Sequence, residues 1–140
     1  MKYDFTRFLD AQENSYEQAL SEIKAGRKSG HWMWYIFPQI KGLGSSETSR
    51  YYSIQSLEEA KYYLMDPVLG ARLKKITSVL LQLREHNANK VFGYPDDMKL
   101  KSCMTLFALA DTSEEKLFGR VLDKFFNGQS DDKTLARIKE

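Results

Sequence analysis

Apolar residues recur at spacings of three and four positions along most of the chain, which predicts helices. The first such run follows Asp4 and ends before Gly26, so we expect one long helix there. Its apolar face comprises Phe5, Phe8, Leu9, Gln12, Tyr16, Leu20 and Ile23. Ser56 and Glu59 have the spacing of a capping box at the start of a second helix. Asp66 and Pro67 should end that helix and begin a third, whose apolar stripe is Leu69, Leu73, Ile76, Leu80 and Leu83.

The C-terminal half carries start and stop signals for further helices. The segment NANKVFG predicts a short helix ended by Gly93, and Pro95 precedes the acidic start of another. Asn127 and Gly128 should stop a helix that begins near Leu117, and a last short helix follows from about residue 131. Alternating strand patterns are scarce, and WMWYIF is the only contender. We therefore predict an all-α fold, a single compact multi-helix domain spanning residues 1–140.

Chain length and net charge exclude several classes of function. The chain has 140 residues and a net charge of +2, which is too small to attract nucleic acid strongly. No apolar run reaches the roughly 20 residues that a bilayer requires, and the segment MKYDFTRFLDAQ lacks a signal-peptide core. We expect a cytosolic protein, monomeric or weakly dimeric, without membrane contact. His31 and His86 lie far apart and no metal motif occurs, so we predict no metal site and no cofactor.

The unusual segment is GHWMWYIFPQ, residues 30–39, which contains both tryptophans. In a helix it would have large apolar side chains on two faces, one for the core and one for more core or for a cavity wall. Under the second interpretation Trp32 or Trp34 would stack on a flat ligand, and Gln39 would contact its polar edge. Under the first interpretation, these aromatic side chains only pack within the core. His31 is either a buried or capping imidazole or an acid–base group.

Two further segments could contact an anion. Gly42, Gly44 and Ser45 form a flexible loop before a helix, a place where backbone N–H groups can meet phosphate, although GLGSS matches no phosphate-loop motif. An ordinary loop is the alternative.

Further along, Lys99 and Ser102 share a helix face and could hold an anion, with Asp97 as an acid–base group beside them. The alternative is a capped helix start with a solvated lysine.

The chain as a whole resembles a bacterial family catalogued as domain of unknown function 1810, whose members are often labelled calpastatin-like. The motifs HWMWYIFPQ and DDMKLKSCMTLF carry the resemblance, which covers nearly every residue. It implies a compact all-α domain and almost nothing about activity. Calpastatin is a disordered protease inhibitor, and this aromatic-rich, periodic composition is the opposite of a disordered one. The layout is also similar to that of small all-α domains that process NAD-derived and ADP-ribosylated molecules, but no catalytic residue can be transferred from them.

Two functions remain open at this point. The first is a site that binds, and hydrolyses, a nucleotide or ADP-ribose-like molecule, with His31 and Asp97 as the acid–base pair. The second is a protein-interaction module without chemistry, whose aromatic segment is structural. The two functions differ in whether one side of the segment GHWMWYIFPQ is open to a ligand or both sides are packed in the core.

Overall fold

The apolar periodicity is realised as helices throughout the part of the chain that the computed structural model describes, residues 3–139. In chain order the helices are α1 (Thr6–Glu13), α2 (Tyr16–Lys24), α3 (Met33–Ile36), α4 (Glu47–Tyr51), α5 (Leu57–Met65), α6 (Leu69–Gln82), α7 (Ala88–Phe92), α8 (Asp96–Ala110), α9 (Leu117–Phe126) and α10 (Asp132–Ile138). An isolated parallel bridge joins Ile40 to Ile54, and within residues 3–139 no strand forms. The all-α prediction is confirmed.

The prediction of one long N-terminal helix is wrong. The chain breaks at Asn14 and Ser15, where the Ser15 N–H donates to the Gln12 carbonyl at 3.2 Å and α2 begins one residue later. Tyr35, on α3, stabilises this break, because its hydroxyl donates to Ser15 Oγ at 3.0 Å. The apolar spacing continues across the break because both short helices turn their apolar faces to the same core.

The predicted start and stop signals in the rest of the chain are confirmed. Ser56 Oγ accepts the Glu59 N–H at 3.1 Å at the start of α5. Asp66 follows the last residue of α5, and its carboxylate accepts the Leu69 N–H at 2.9 Å where α6 begins. Gly93 follows α7 with a φ of 74°, in the left-handed region that glycine adopts without strain. Local hydrogen bonding thus sets these helix boundaries.

A line of aromatic rings connects the N-terminal helices to the centre of the core. Ring centroids are 5.3 Å apart between Phe8 and Tyr63, 5.5 Å between Tyr63 and Phe107, and 5.8 Å between Phe107 and Phe118. All four side chains are fully buried. Such tilted and edge-to-face pairs add to the free energy of area burial, so they join α1, α5, α8 and α9 into one core.

Helix α8 is the central element. Most of its side chains from Leu100 to Ala110 are buried, including Cys103, whose thiol pKa burial raises well above the usual value. A buried thiol with a raised pKa is chemically inert, which agrees with the packing role expected for it. Across residues 3–139, no helix has the length and apolar character needed to cross a bilayer.

Candidate functional site

The two tryptophans lie in different surroundings. Helix α3 is a single turn, and Trp32, just before it, is only 2% exposed, with its ring 6.1 Å from that of Phe37. Trp34, inside the turn, remains partly exposed. The packing interpretation therefore fits Trp32, and Trp34 is the more exposed of the two indoles.

A carboxylate fixes the loop that leads into α3. Glu22 Oε1 accepts the backbone N–H groups of Ser29 at 2.7 Å and Gly30 at 2.8 Å, and the indole N–H of Trp32 at 3.0 Å. Gln18 donates to the other oxygen at 2.9 Å. Desolvation works to raise the pKa of Glu22, but these hydrogen bonds outweigh it and lower the pKa to about 2. The carboxylate stays charged and anchors the loop to α2.

The exposed indole of Trp34 is covered by a lysine. Lys99 Nζ lies 4.1 Å from the ring centroid of Trp34, within cation–π range, and 3.1 Å from Asp96 Oδ1. Asp96 Oδ2 lies 2.7 Å from Lys28 Nζ, which stands 4.9 Å from the ring centroid of Trp32. Desolvation raises the pKa of Asp96, while its hydrogen bonds to both lysines outweigh that and leave the pKa below its usual value. One carboxylate is thus shared by two cations.

A small cavity lies on another side of Trp34. It measures about 10 Å³, which is room for roughly one water molecule. Gln39 lines it, is 6% exposed, and has a buried Nε2 that finds no acceptor among residues 3–139. The backbone of Gln39 is fixed, because its carbonyl accepts the Ile54 N–H at 2.8 Å. The other lining residues are Ile40, Gly42, Leu43, Gly44, Ser49, Tyr52 and Ser53.

The glycines of the 41–46 loop permit close packing around this cavity. At Gly42, whose φ is +87°, a Cβ would lie 2.7 Å from the guanidinium carbon of Arg137 on α10. At Gly44 a Cβ would lie 2.8 Å from Ser49 Cβ and 3.3 Å from the Trp34 ring. Any larger residue would therefore move a neighbour. Ser45 is exposed and does not line the cavity.

The remaining predicted site residues lie elsewhere. Ser102 is buried, and its hydroxyl contacts the Met98 carbonyl at 3.2 Å and Asp131 Oδ2 at 3.3 Å, next to the start of α10. His31 is exposed just before α3. Asp97 accepts a hydrogen bond from Asn89 Nδ2 at 3.3 Å. The contacts of these three side chains do not bring them to Trp34.

Asp97 instead borders a wide surface groove of about 1020 Å³. The groove is also lined by Leu81, His86, Asn87, Ala88, Asn89, Met98, Arg120, Asp123, Lys124, Phe125, Phe126 and Asn127. His31 is not among them, so the proposed acid–base pair does not meet in this groove. Among the described residues, no three His, Cys, Asp or Glu side chains are grouped to hold a metal ion.

Sequence reasoning missed three charged residues that surround Trp32 and Trp34. Glu22 resembles an ordinary surface residue of a helix, Lys28 lies in a loop, and Asp96 was treated only as a helix-start signal. The Asp96–Lys99 pair has a helical spacing of three and could have been found, whereas the pairing of Asp96 with Lys28 joins positions 68 residues apart and leaves no local pattern.

A family model described as a protein of unknown function, DUF1810, matches residues 2–138. The chain belongs to this family. A solved structure, that of the conserved hypothetical protein Rv1873 from Mycobacterium tuberculosis, is 43% identical in sequence. The match covers 100% of this chain and 99% of that one, with a TM-score of 0.95. Among curated proteins, none matches. Membership confirms the resemblance expected from the two motifs and leaves the activity to be argued from the site.

Proposed function

We propose that this protein binds a small molecule of the nucleotide or ADP-ribose class, with its flat ring on Trp34. The observation that carries the proposal is the buried Nε2 of Gln39, which has no partner among residues 3–139 and belongs to a side chain that lines the same small cavity as Trp34. A buried donor without an acceptor costs about 1–3 kcal/mol, and folded proteins keep few of them. A polar atom of a ligand, or the water that it replaces, would complete the hydrogen bonding of Gln39.

The free energies at Trp34 allow a ring to displace Lys99. The side chains of Lys99 and Asp96 are only 21% and 19% exposed, so their ion pair is worth at least the roughly 1 kcal/mol at the upper end for exposed pairs, and the cation–π contact about 1–2 kcal/mol. Stacking of a base on an aromatic side chain contributes about 1–3 kcal/mol. Exchange of the ammonium for a ring is therefore close to balanced. Because the cavity has room for about one water, the ring would lie on the indole and only a single polar atom would reach Gln39.

The contacts at Trp34 support binding more than hydrolysis. Hydrolysis needs a positioned acid or base, and Asp96, the carboxylate at this site, is paired with two lysines. His31 and Asp97 do not line the cavity. Hydrolysis therefore stays a prediction, as do the cytosolic location and the monomeric or weakly dimeric state.

A second candidate function is a protein-interaction module without chemistry. It draws support from two large apolar side chains at the start of α8, Tyr94, which is 80% exposed, and Met98, which is 44% exposed. Exposed apolar surface of this kind is common at protein interfaces. Under this candidate the Trp34 cavity would hold only water.

Gln39→Leu tests the binding proposal. The variant removes a buried donor that lacks a partner, so we expect it to unfold at equal or higher temperature while losing affinity for ADP-ribose and AMP. Calorimetric titration measures the affinity, and thermal unfolding measures the stability. Gln129→Leu, at an exposed position outside the cavity, is the matched control and should keep the wild-type affinity.

Two results would count against the proposal. One is the absence of heat and of any shift in melting temperature when the wild type meets millimolar ADP-ribose or AMP. The other is unchanged affinity in Gln39→Leu, because the ligand would then bind without the donor on which the proposal depends.

A further inference from the structure

Two lysines share the single carboxylate of Asp96, and they are held very differently. Lys28 is 6% exposed in its side chain, contacts Asp96 at 2.7 Å, donates to the Gly30 carbonyl and stands over Trp32. Lys99 is 21% exposed, contacts Asp96 at 3.1 Å and otherwise rests on the Trp34 ring. Lys28 is therefore built into the loop, whereas Lys99 can leave by rotating its own side chain.

Departure of Lys99 would leave no buried charge unpaired. Asp96 would keep Lys28, and Lys99 would carry its charge away from the indole on a flexible stem of four methylene groups. With both lysines present, the two ammonium groups and the carboxylates of Asp96 and Glu22, which accepts from the Trp32 indole, sum to zero charge. A displaced Lys99 ammonium, no longer paired with Asp96, can instead pair with an anionic group of a ligand.

We infer that Lys99 is an exchangeable cover on Trp34, which a ligand's ring displaces and which then pairs with the phosphate of that same ligand. The inference rests on the proposed function and narrows it. The site selects phosphorylated ring compounds over the same rings without phosphate. An uncharged ring has to displace Lys99 without regaining the contact, whereas a phosphorylated ring gives the ammonium a new partner. Lys28 has a positioning role, because it holds Asp96 in place in both arrangements.

Calorimetric titration of AMP and adenosine into the wild type and Lys99→Gln tests the inference. We expect the wild type to bind AMP about tenfold or more tightly than adenosine, since a charge-assisted hydrogen bond to phosphate is among the stronger ones. In Lys99→Gln the ratio should fall to about threefold or less, with adenosine affinity equal to or above that of the wild type. Lys99→Arg should keep most of the preference.

The matched control is Lys101→Gln, which removes the same charge from the same helix. Its ammonium stands 6.0 Å from the Phe126 ring centroid, so it should leave the AMP preference unchanged. Far-ultraviolet circular dichroism checks that each variant is folded.

The outcomes separate the two claims. If the wild type binds neither compound, the proposed function and the inference are both overturned. If it binds both equally, or if Lys101→Gln reduces the preference as much as Lys99→Gln does, ring binding survives and the role of Lys99 is refuted. A preference that only Lys99→Gln abolishes supports both.

Discussion

Replacing Glu22 by glutamine tests how strongly one carboxylate holds the loop that leads into α3. The substitution keeps the size of the side chain and an oxygen that can accept the N–H groups of Ser29, Gly30 and Trp32, but it removes the negative charge. The variant should fold to the same structure and be less stable at neutral pH, because hydrogen bonds to a charged acceptor are stronger than those to an amide.

The pKa of Glu22 sets the size of the effect. Lowering this pKa from 4.5 to about 2 corresponds to about 3.4 kcal/mol, at 1.36 kcal/mol for each pKa unit. Glu22 is partly exposed, so solvent screens much of this, and we expect Glu22→Gln to lower the free energy of unfolding by about 1–2 kcal/mol. The pKa is lower in the folded state, so the stabilisation is complete above about pH 4.5 and is lost as the pH falls toward 2.

Urea unfolding of the wild type and the variant at several pH values measures this difference directly. The gap between the two proteins should be constant from about pH 7 to 5 and should narrow progressively below about pH 4.5. Glu13→Gln, at an exposed position near the end of α1, is the control and should stay within about 0.5 kcal/mol of the wild type. A gap of the same size at every pH would refute the reasoning, since the charge of Glu22 would then contribute nothing.

Two further pairs of substitutions test the packing. Gly70→Ala should destabilise by about 3 kcal/mol or more, because its Cβ would lie 2.1 Å from a backbone oxygen of α5. Gly119→Ala, in open space on α9, should instead raise the free energy of unfolding by about 0.5–1 kcal/mol, as measured by thermal unfolding of both variants. If both glycine substitutions changed the stability equally, the close packing of Gly70 against α5 would be contradicted. Trp32→Ala should cost about 3–5 kcal/mol in urea unfolding, and Trp34→Ala clearly less, since only the first indole is fully buried. Comparable losses would show that Trp34 is a core residue.

Helix boundaries could be predicted from sequence wherever a local hydrogen bond sets them. Ser56 and Glu59 lie three residues apart, and their interaction needs nothing from the rest of the chain. The break at Ser15 could not be predicted, because the contact from Tyr35 that holds it depends on how α3 packs against α1. Apolar spacing reports which face is buried and not whether the backbone is continuous.

The candidate site, like the helix boundaries, could be predicted only in part. Trp34, Gln39 and Lys99 could be named from residue chemistry, but that Lys99 covers Trp34 depends on two helices separated by 65 positions in the chain. The different fates of Trp32 and Trp34, two residues apart, follow from α3 being a single turn. In a longer helix, Trp32 and Trp34 would lie on two different faces, which is what the sequence pattern predicted.

Two backbone hydrogen bonds fasten both ends of the segment from residue 41 to residue 53. The Ile54 N–H donates to the Gln39 carbonyl, and the Lys41 N–H donates to the Ile54 carbonyl, each at 2.8 Å. Extra residues at Ser45 would lengthen a loop whose ends stay in place, and each doubling of loop length costs only about 0.6 kcal/mol. Insertions and deletions there would reshape what lies against Trp34 and leave the register of the core helices unchanged.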